Sequence, residues 1–112
     1  MRVTIRGRGV TLDETVRRHA ERRLRFALGR FGASVRAVTM RLDDVNGPRG
    51  GVDTRVRLVV GLAPRGEVIL EDEDATLVPL LDRSADRIGR AVERRLDRLR
   101  DRPAGPRRLP AS

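Results

Sequence analysis

Residues 2–31 read RVTIRGRGVTLDETVRRHAERRLRFALGRF, and their hydrophobic period changes once. Val3 and Ile5 alternate with Arg2, Thr4 and Arg6, the period-two pattern of a half-buried strand over residues 2–6. Further on, the apolar residues fall at Val16, Ala20, Leu24, Ala27, Leu28 and Phe31, which is one stripe of a helix. Between them, Thr11-Leu12-Asp13-Glu14 reads as a capping box. The Thr11 hydroxyl would serve one orphan amide, and Glu14 would reach back to another. Gly29 and Gly32 mark the end of the helix. A strand and then a helix at the head of a chain imply a second strand parallel to the first, reached by a right-handed crossover.

Working outward, Val38, Met40 and Leu42 alternate, and so do Val56, Leu58, Val60 and Leu62. Pro64-Arg65-Gly66 signals a turn, after which Val68 and Leu70 mark a fourth short strand. A second helix is expected from about Thr76 to about Arg100, its buried stripe being Leu77, Leu81, Ala85, Ile88, Val92, Leu96 and Leu99. Pro79 fits only within its first turn, where a missing N–H costs little. The acidic run Glu71-Asp72-Glu73-Asp74 is expected just before that turn, where it would suit the positive end of the helix dipole. The order is β-α-β-β-β-α. Two amphipathic helices packed on one face of a four-stranded mixed sheet bury both stripes, so the fold class is α+β, a two-layer sandwich.

Between strands 2 and 3 lies DVNGPRGGVD, residues 44–53. It lacks the GxxxxGK[ST] pattern of a phosphate-binding loop and no helix follows it. Asn46-Gly47 and Gly50-Gly51 instead suit the positive-φ positions of a long hairpin connection, with Arg49 at its tip as a weak candidate for contact. Residues 1–102 are expected to form one domain, and 103–112, PAGPRRLPAS, a disordered tail.

Composition limits what such a domain does. At 112 residues the chain suits one core, and Phe26 and Phe31 are its only aromatics. Having no Cys, it forms no disulfide and holds no metal through thiolates. No apolar run is long enough to cross a bilayer and no secretory signal is evident, so a cytoplasmic protein without membrane contact is expected. Arg supplies all 25 basic residues, a bias that a GC-rich genome explains without invoking chemistry. The distribution of charge is more telling. Residues 1–41 hold 11 Arg against 3 acids and residues 81–112 hold 10 against 5, whereas residues 42–80 hold 4 against 8. A net charge of +9 gathered towards the two ends of the chain points to a polyanionic partner, nucleic acid before membrane.

Helical spacing concentrates that charge further. Arg18, Arg22 and Arg25 lie opposite the apolar stripe of the first helix, flanked by Arg17 and Arg23. Arg83, Arg87, Arg90 and Arg94 form the corresponding line on the second, with Arg98 beyond. A lone basic helix face usually pairs with its own acids, here Glu21, Asp86, Asp97 and Asp101. Two such lines on one layer of a strongly basic chain favour RNA phosphates instead. The scarcity of aromatics disfavours recognition of single strands on stacking platforms, leaving a shape-defined RNA. The open face of the sheet, with Arg2, Arg6, Arg41, Arg55 and Arg57, is a weaker second surface. No enzyme is expected: Asp43, Asp44 and residues 71–74 lack a His or Cys spaced to complete a metal site, His19 reads as a solvated helix residue, and no cofactor motif is present.

Three stretches, IRGRGVTLDETVRRHAERRL, DVNGPRGGVD and LLDRSADRIGRAVERRL, resemble the ribosome hibernation-promoting factor family. That family includes ribosome-associated inhibitor A and proteins once named as sigma-factor modulators. The resemblance implies a translation inhibitor active in stress, which occupies the decoding region of the small ribosomal subunit through basic helix residues on ribosomal RNA. Arg17 and Arg23 match the family's basic positions on the first helix, and Arg87, Arg90 and Arg94 those on the second. The chain departs from the family's Tyr-x-Ala-Ile-Asp pattern, reading Val78-Pro79-Leu80-Leu81-Asp82. It ends without the second domain of long-form members, so the resemblance implies a short form, monomeric off the ribosome. A structured-RNA-binding module without ribosome specificity is the alternative reading.

Overall fold

A computed structural model describes residues 1–45 and 53–101. Arg49, the hairpin tip and the Pro/Arg tail therefore lie outside the described residues. The elements are β1 (Arg2–Arg8), α1 (Glu14–Leu28), a 3₁₀ segment (Gly29–Ser34), β2 (Val35–Asp44), β3 (Thr54–Leu62), β4 (Glu67–Asp74) and α2 (Leu77–Asp101). The expected order, β-α-β-β-β-α, is the observed one. Strands lie in the order β1-β2-β3-β4, with β1 parallel to β2 and the other two pairs antiparallel.

β3 shows most clearly why these residues make a sheet. Thr54, Val56, Leu58, Val60 and Leu62 are all buried, while the residues between them face away from the helices. β2 departs from strict alternation at one place. A register shift between Val35 and Ala37 lets both Val35 and Val38 face the core. Ile5, Val38, Met40, Leu42 and the β3 set pack under Ala20, Leu24 and Leu28 of α1 and Leu80, Leu81, Ala85, Ile88 and Val92 of α2. Each fully buried Leu or Val contributes roughly 1.5–3 kcal/mol over its exposed state, so this apolar layer holds the sandwich together. The buried hydroxyl of Ser84 donates to the Leu81 carbonyl at 3.2 Å.

Two expectations are corrected. The cap of α1 is Asp13, not Thr11: the Asp13 carboxylate accepts from the Val16 amide at 2.9 Å. The Leu12 side chain packs close beside Gly7 and against the core, so the chain turns into the helix later than Thr11. Glu14 pairs with Arg18 instead of reaching back. The second correction concerns residues 71–74, which are not a lead-in to α2 but the last half of β4. Such an acidic run is a poor strand former by itself. Here its pairing with β3 sets Glu71 opposite Arg57 and Glu73 opposite Arg55, and ion pairs of 2.7 and 2.8 Å offset the poor propensity.

Helix α2 starts with Pro79 in its first turn, as its ring requires, and buries both Leu80 and Leu81. The departure from an aromatic in this stretch is thus met by two leucines. Leu99, expected in the stripe, stands 39% exposed near the helix end. The β3–β4 turn is the expected one, with Gly66 at φ 106, a conformation that a side chain would strain.

Candidate nucleic-acid interface

The two helices lie side by side and run in the same direction, as cross-helix contacts at constant sequence separation show. His19 bonds Asp82 at 2.7 Å, Arg23 bonds Asp86 at 3.0 Å, and Arg30 bonds Glu93 at 3.2 Å. Between these rungs Ala27 meets Gly89, where an added Cβ would stand 3.1 Å from the Ala27 carbonyl oxygen. Gly89 therefore permits the close approach that joins the two basic lines into one layer.

Within that layer the nine candidate arginines fall into groups by the partners they already have. Arg17 donates to the Ile5 carbonyl at 2.7 Å and ties α1 to β1. Arg23 holds Asp86, and its Nε lies 3.3 Å from Asp82 in an ion pair whose direction makes no hydrogen bond. Arg83 is the most committed: it donates to Asp72 at 2.8 Å, to Asp74 at 2.9 Å and to the Glu73 carbonyl at 3.1 Å. Arg87 shares Asp72 at 2.9 Å but is less enclosed. Arg18 and Arg25 make exposed pairs with Glu14 and Glu21 one turn away, each worth only a few tenths of a kcal/mol. Arg22, Arg90 and Arg94 are exposed and have no ion pair or hydrogen bond among the described residues. These three, with the loosely held Arg18 and Arg25, are the cations most available to an incoming phosphate.

The acids of β4 explain much of this sorting. Strand alternation sends Glu71 and Glu73 to the open face and Asp72 and Asp74 to the helix side, under Arg83 and Arg87. The Arg83 hydrogen bond, reinforced by the Glu73 amide and Arg87, holds the Asp72 carboxyl at about 2, well below the ordinary 3.8. Asp74 is lowered too, first by the Thr76 amide and then by Arg83. Asp72 and Asp74 in turn raise Arg83 and keep it firmly protonated. The open face is neutralised only in part: Arg55 and Arg57 face Glu73 and Glu71, and Arg41 lies 3.8 Å from Asp43, whereas Arg2 and Arg6 are exposed with no ion pair among the described residues. Asp43 also takes Arg8 at 3.2 Å. His19 is not merely solvated: it is part-buried and joined to α2 through Asp82. No helix among the described residues is long and apolar enough to cross a membrane.

Two features of this layer were not legible in the sequence. Arg30 bridges to Glu93 and lies 4.7 Å over the Phe31 ring, a contact that fixes the end of α1 against α2. Phe26 projects from α1 with 79% of its surface exposed. Its one signal in the sequence was being an aromatic off the apolar stripe.

Comparison with known proteins adds to this geometry. A family model described as sigma 54 modulation protein / S30EA ribosomal protein matches residues 3–100. No curated protein matches the chain. Among solved structures, the chain is similar to the N-terminal domain of Protein Y from Thermus thermophilus, with 26% identity and a TM-score of 0.68. That match covers 84% of this chain and 98% of the other. A ribosomal subunit interface protein from Coxiella burnetii shares the fold at 14% identity and a TM-score of 0.62, covering 89% of this chain and 98% of its own.

Proposed function

The chain belongs to the sigma 54 modulation protein / S30EA ribosomal protein family, the hibernation-promoting factor group, and from that we propose that it is a non-enzymatic, ribosome-binding inhibitor of translation. It docks its helical layer on ribosomal RNA in the decoding region of the small subunit, where messenger and transfer RNA would otherwise sit. The observation that supports this reading is the sorting of the arginines. The Ile5 carbonyl already holds Arg17, and internal carboxylates hold Arg23 and Arg83, while Arg22, Arg90 and Arg94 stand exposed on the same layer without partners among the described residues. Unpaired guanidinium groups on a rigid two-helix surface suit phosphates fixed in a folded RNA, and contacts of that kind position a protein without reading base sequence.

Sedimentation through a sucrose gradient tests the reading. At low salt the protein is expected to travel with small subunits or whole ribosomes and to leave them as salt rises. A protein that stays at the top of the gradient at every salt concentration refutes it. Release by a modest excess of an arbitrary RNA duplex would instead identify a structured-RNA binder without ribosome specificity.

A further inference from the structure

Phe26 is explained neither by the core nor by the arginine lines. Of the two aromatics in the chain, Phe31 packs against the core, whereas Phe26 stands in water. A single exposed apolar side chain is ordinary; the surroundings of this one are not. Phe26 borders a shallow groove of about 400 Å³ between the helices, lined also by Ala27, Arg30, Asp86, Gly89 and Arg90. The floor is smooth, because Gly89 has no side chain and meets Ala27 directly. The acids beside the groove are engaged, Asp86 by Arg23 and Glu93 by Arg30. Arg90 has no partner among the described residues, and neither does Arg22, one turn before Phe26 on α1. The groove thus offers one aromatic ring and one available guanidinium group, that of Arg90, with Arg22 a helical turn back along α1.

We propose that Phe26 is a stacking point for an unpaired nucleobase, with Arg22 and Arg90 taking the phosphates on either side. The inference rests on the RNA-binding reading above and narrows it, because a base can stack only where it is out of a duplex, in a loop, bulge or single-stranded segment. Too few aromatics for a multi-ring platform does not rule out one ring. An apolar protein surface laid over Phe26 would have to bury two uncompensated cations beside it, at a heavy desolvation cost. A nucleotide supplies both the π-face and the anions. Since every base has such a face, the contact adds affinity without sequence preference.

The chain contains no Trp, so Phe26→Trp places a single fluorescent reporter at the position in question. Titrated with purified small ribosomal subunits, this variant is expected to bind as tightly as the wild type and to lose emission as the indole stacks on a base. Phe26→Ala is expected to bind about 5- to 150-fold more weakly, the range that stacking one base on a ring supports. Phe26→Tyr should restore the affinity and Phe26→Leu should not, since a leucine keeps the apolar area but not the ring. Circular dichroism checks that each variant is folded, which the exposure of the position favours. Emission that brightens and shifts to the blue, or Phe26→Leu binding like the wild type, identifies an ordinary apolar contact and overturns the proposal. Phe26→Ala binding within twofold of the wild type overturns it as well. A wild-type protein that fails to bind subunits refutes the RNA-binding reading itself, and is thereby distinguishable from failure of the stacking contact alone.

Discussion

Replacing Asp72 by Asn should weaken the fold and strengthen RNA binding at the same time. The Asp72 side chain is only 17% exposed, and its carboxylate accepts from Arg83 and Arg87 through one oxygen and from the Glu73 amide through the other. Its carboxyl is held at about 2 against 3.8 in an unfolded chain. At about 1.4 kcal/mol per unit, this amounts to about 2 kcal/mol of stability at neutral pH, which water at the rim of the site trims to about 1–2 kcal/mol. The sign follows from the direction of the shift. A lowered carboxyl stabilises the folded state fully above the unfolded value of 3.8, and the contribution fades as pH falls through about 2. Urea unfolding followed by circular dichroism should show Asp72→Asn less stable by about 1–2 kcal/mol at pH 7 and by about half of that at pH 3. Near pH 2 the difference should be small, because the wild type is by then protonated at this site too. The same substitution frees Arg87, leaves Arg83 only on Asp74 and the Glu73 carbonyl, and raises the net charge by one unit. Binding to small subunits should therefore tighten at low salt and depend more steeply on salt. Equal stability of the two proteins at pH 7, or a difference that persists undiminished near pH 2, would refute the assigned role of the carboxylate.

The remaining expectations concern the helices. Asp13→Ala removes the cap of α1 and should cost about 1 kcal/mol in urea unfolding, whereas Thr11→Ala should change stability by less than about 0.5 kcal/mol. Gly89→Ala improves helix propensity by about 1 kcal/mol but drives a methyl to 3.1 Å from the Ala27 carbonyl oxygen. Overpacking of that kind costs about 1–3 kcal/mol, so a net loss of about 1 kcal/mol is expected, and a gain in stability would mean that the two helices separate easily.

The sequence made the architecture legible because its periods are clean. The alternation in Val56, Leu58, Val60 and Leu62, and the stripe of Ala20, Leu24 and Leu28, predict the burial that β3 and α1 show. Where reading failed, the deciding partner was distant in the chain. Nothing local marks Glu71–Asp74 as strand, since its support comes from Arg55 and Arg57 on β3 and from Arg83 and Arg87 on α2. The cap went to Asp13 because Leu12 packs inward, a tertiary contact that outweighs a local capping pattern. The candidate interface was half legible. Spacing placed nine arginines on the helical layer and offered Asp86 as a partner, but did not show that Asp72, Asp82 and the Ile5 carbonyl already engage several of them. Composition suggested that stacking has little place here, and only the exposed setting of Phe26 reopened it.

The most direct test of the central claim is the salt dependence of binding to purified small ribosomal subunits. The wild type should be compared with a variant carrying Arg22→Glu, Arg90→Glu and Arg94→Glu. Because these arginines hold no partner among the described residues, reversing them should leave the fold intact. Binding should become much weaker, and the slope of log affinity against log salt should be shallower by about two to three units, at roughly 0.7–0.9 per lost phosphate contact. Wild type and variant binding with the same affinity and the same slope would contradict the account.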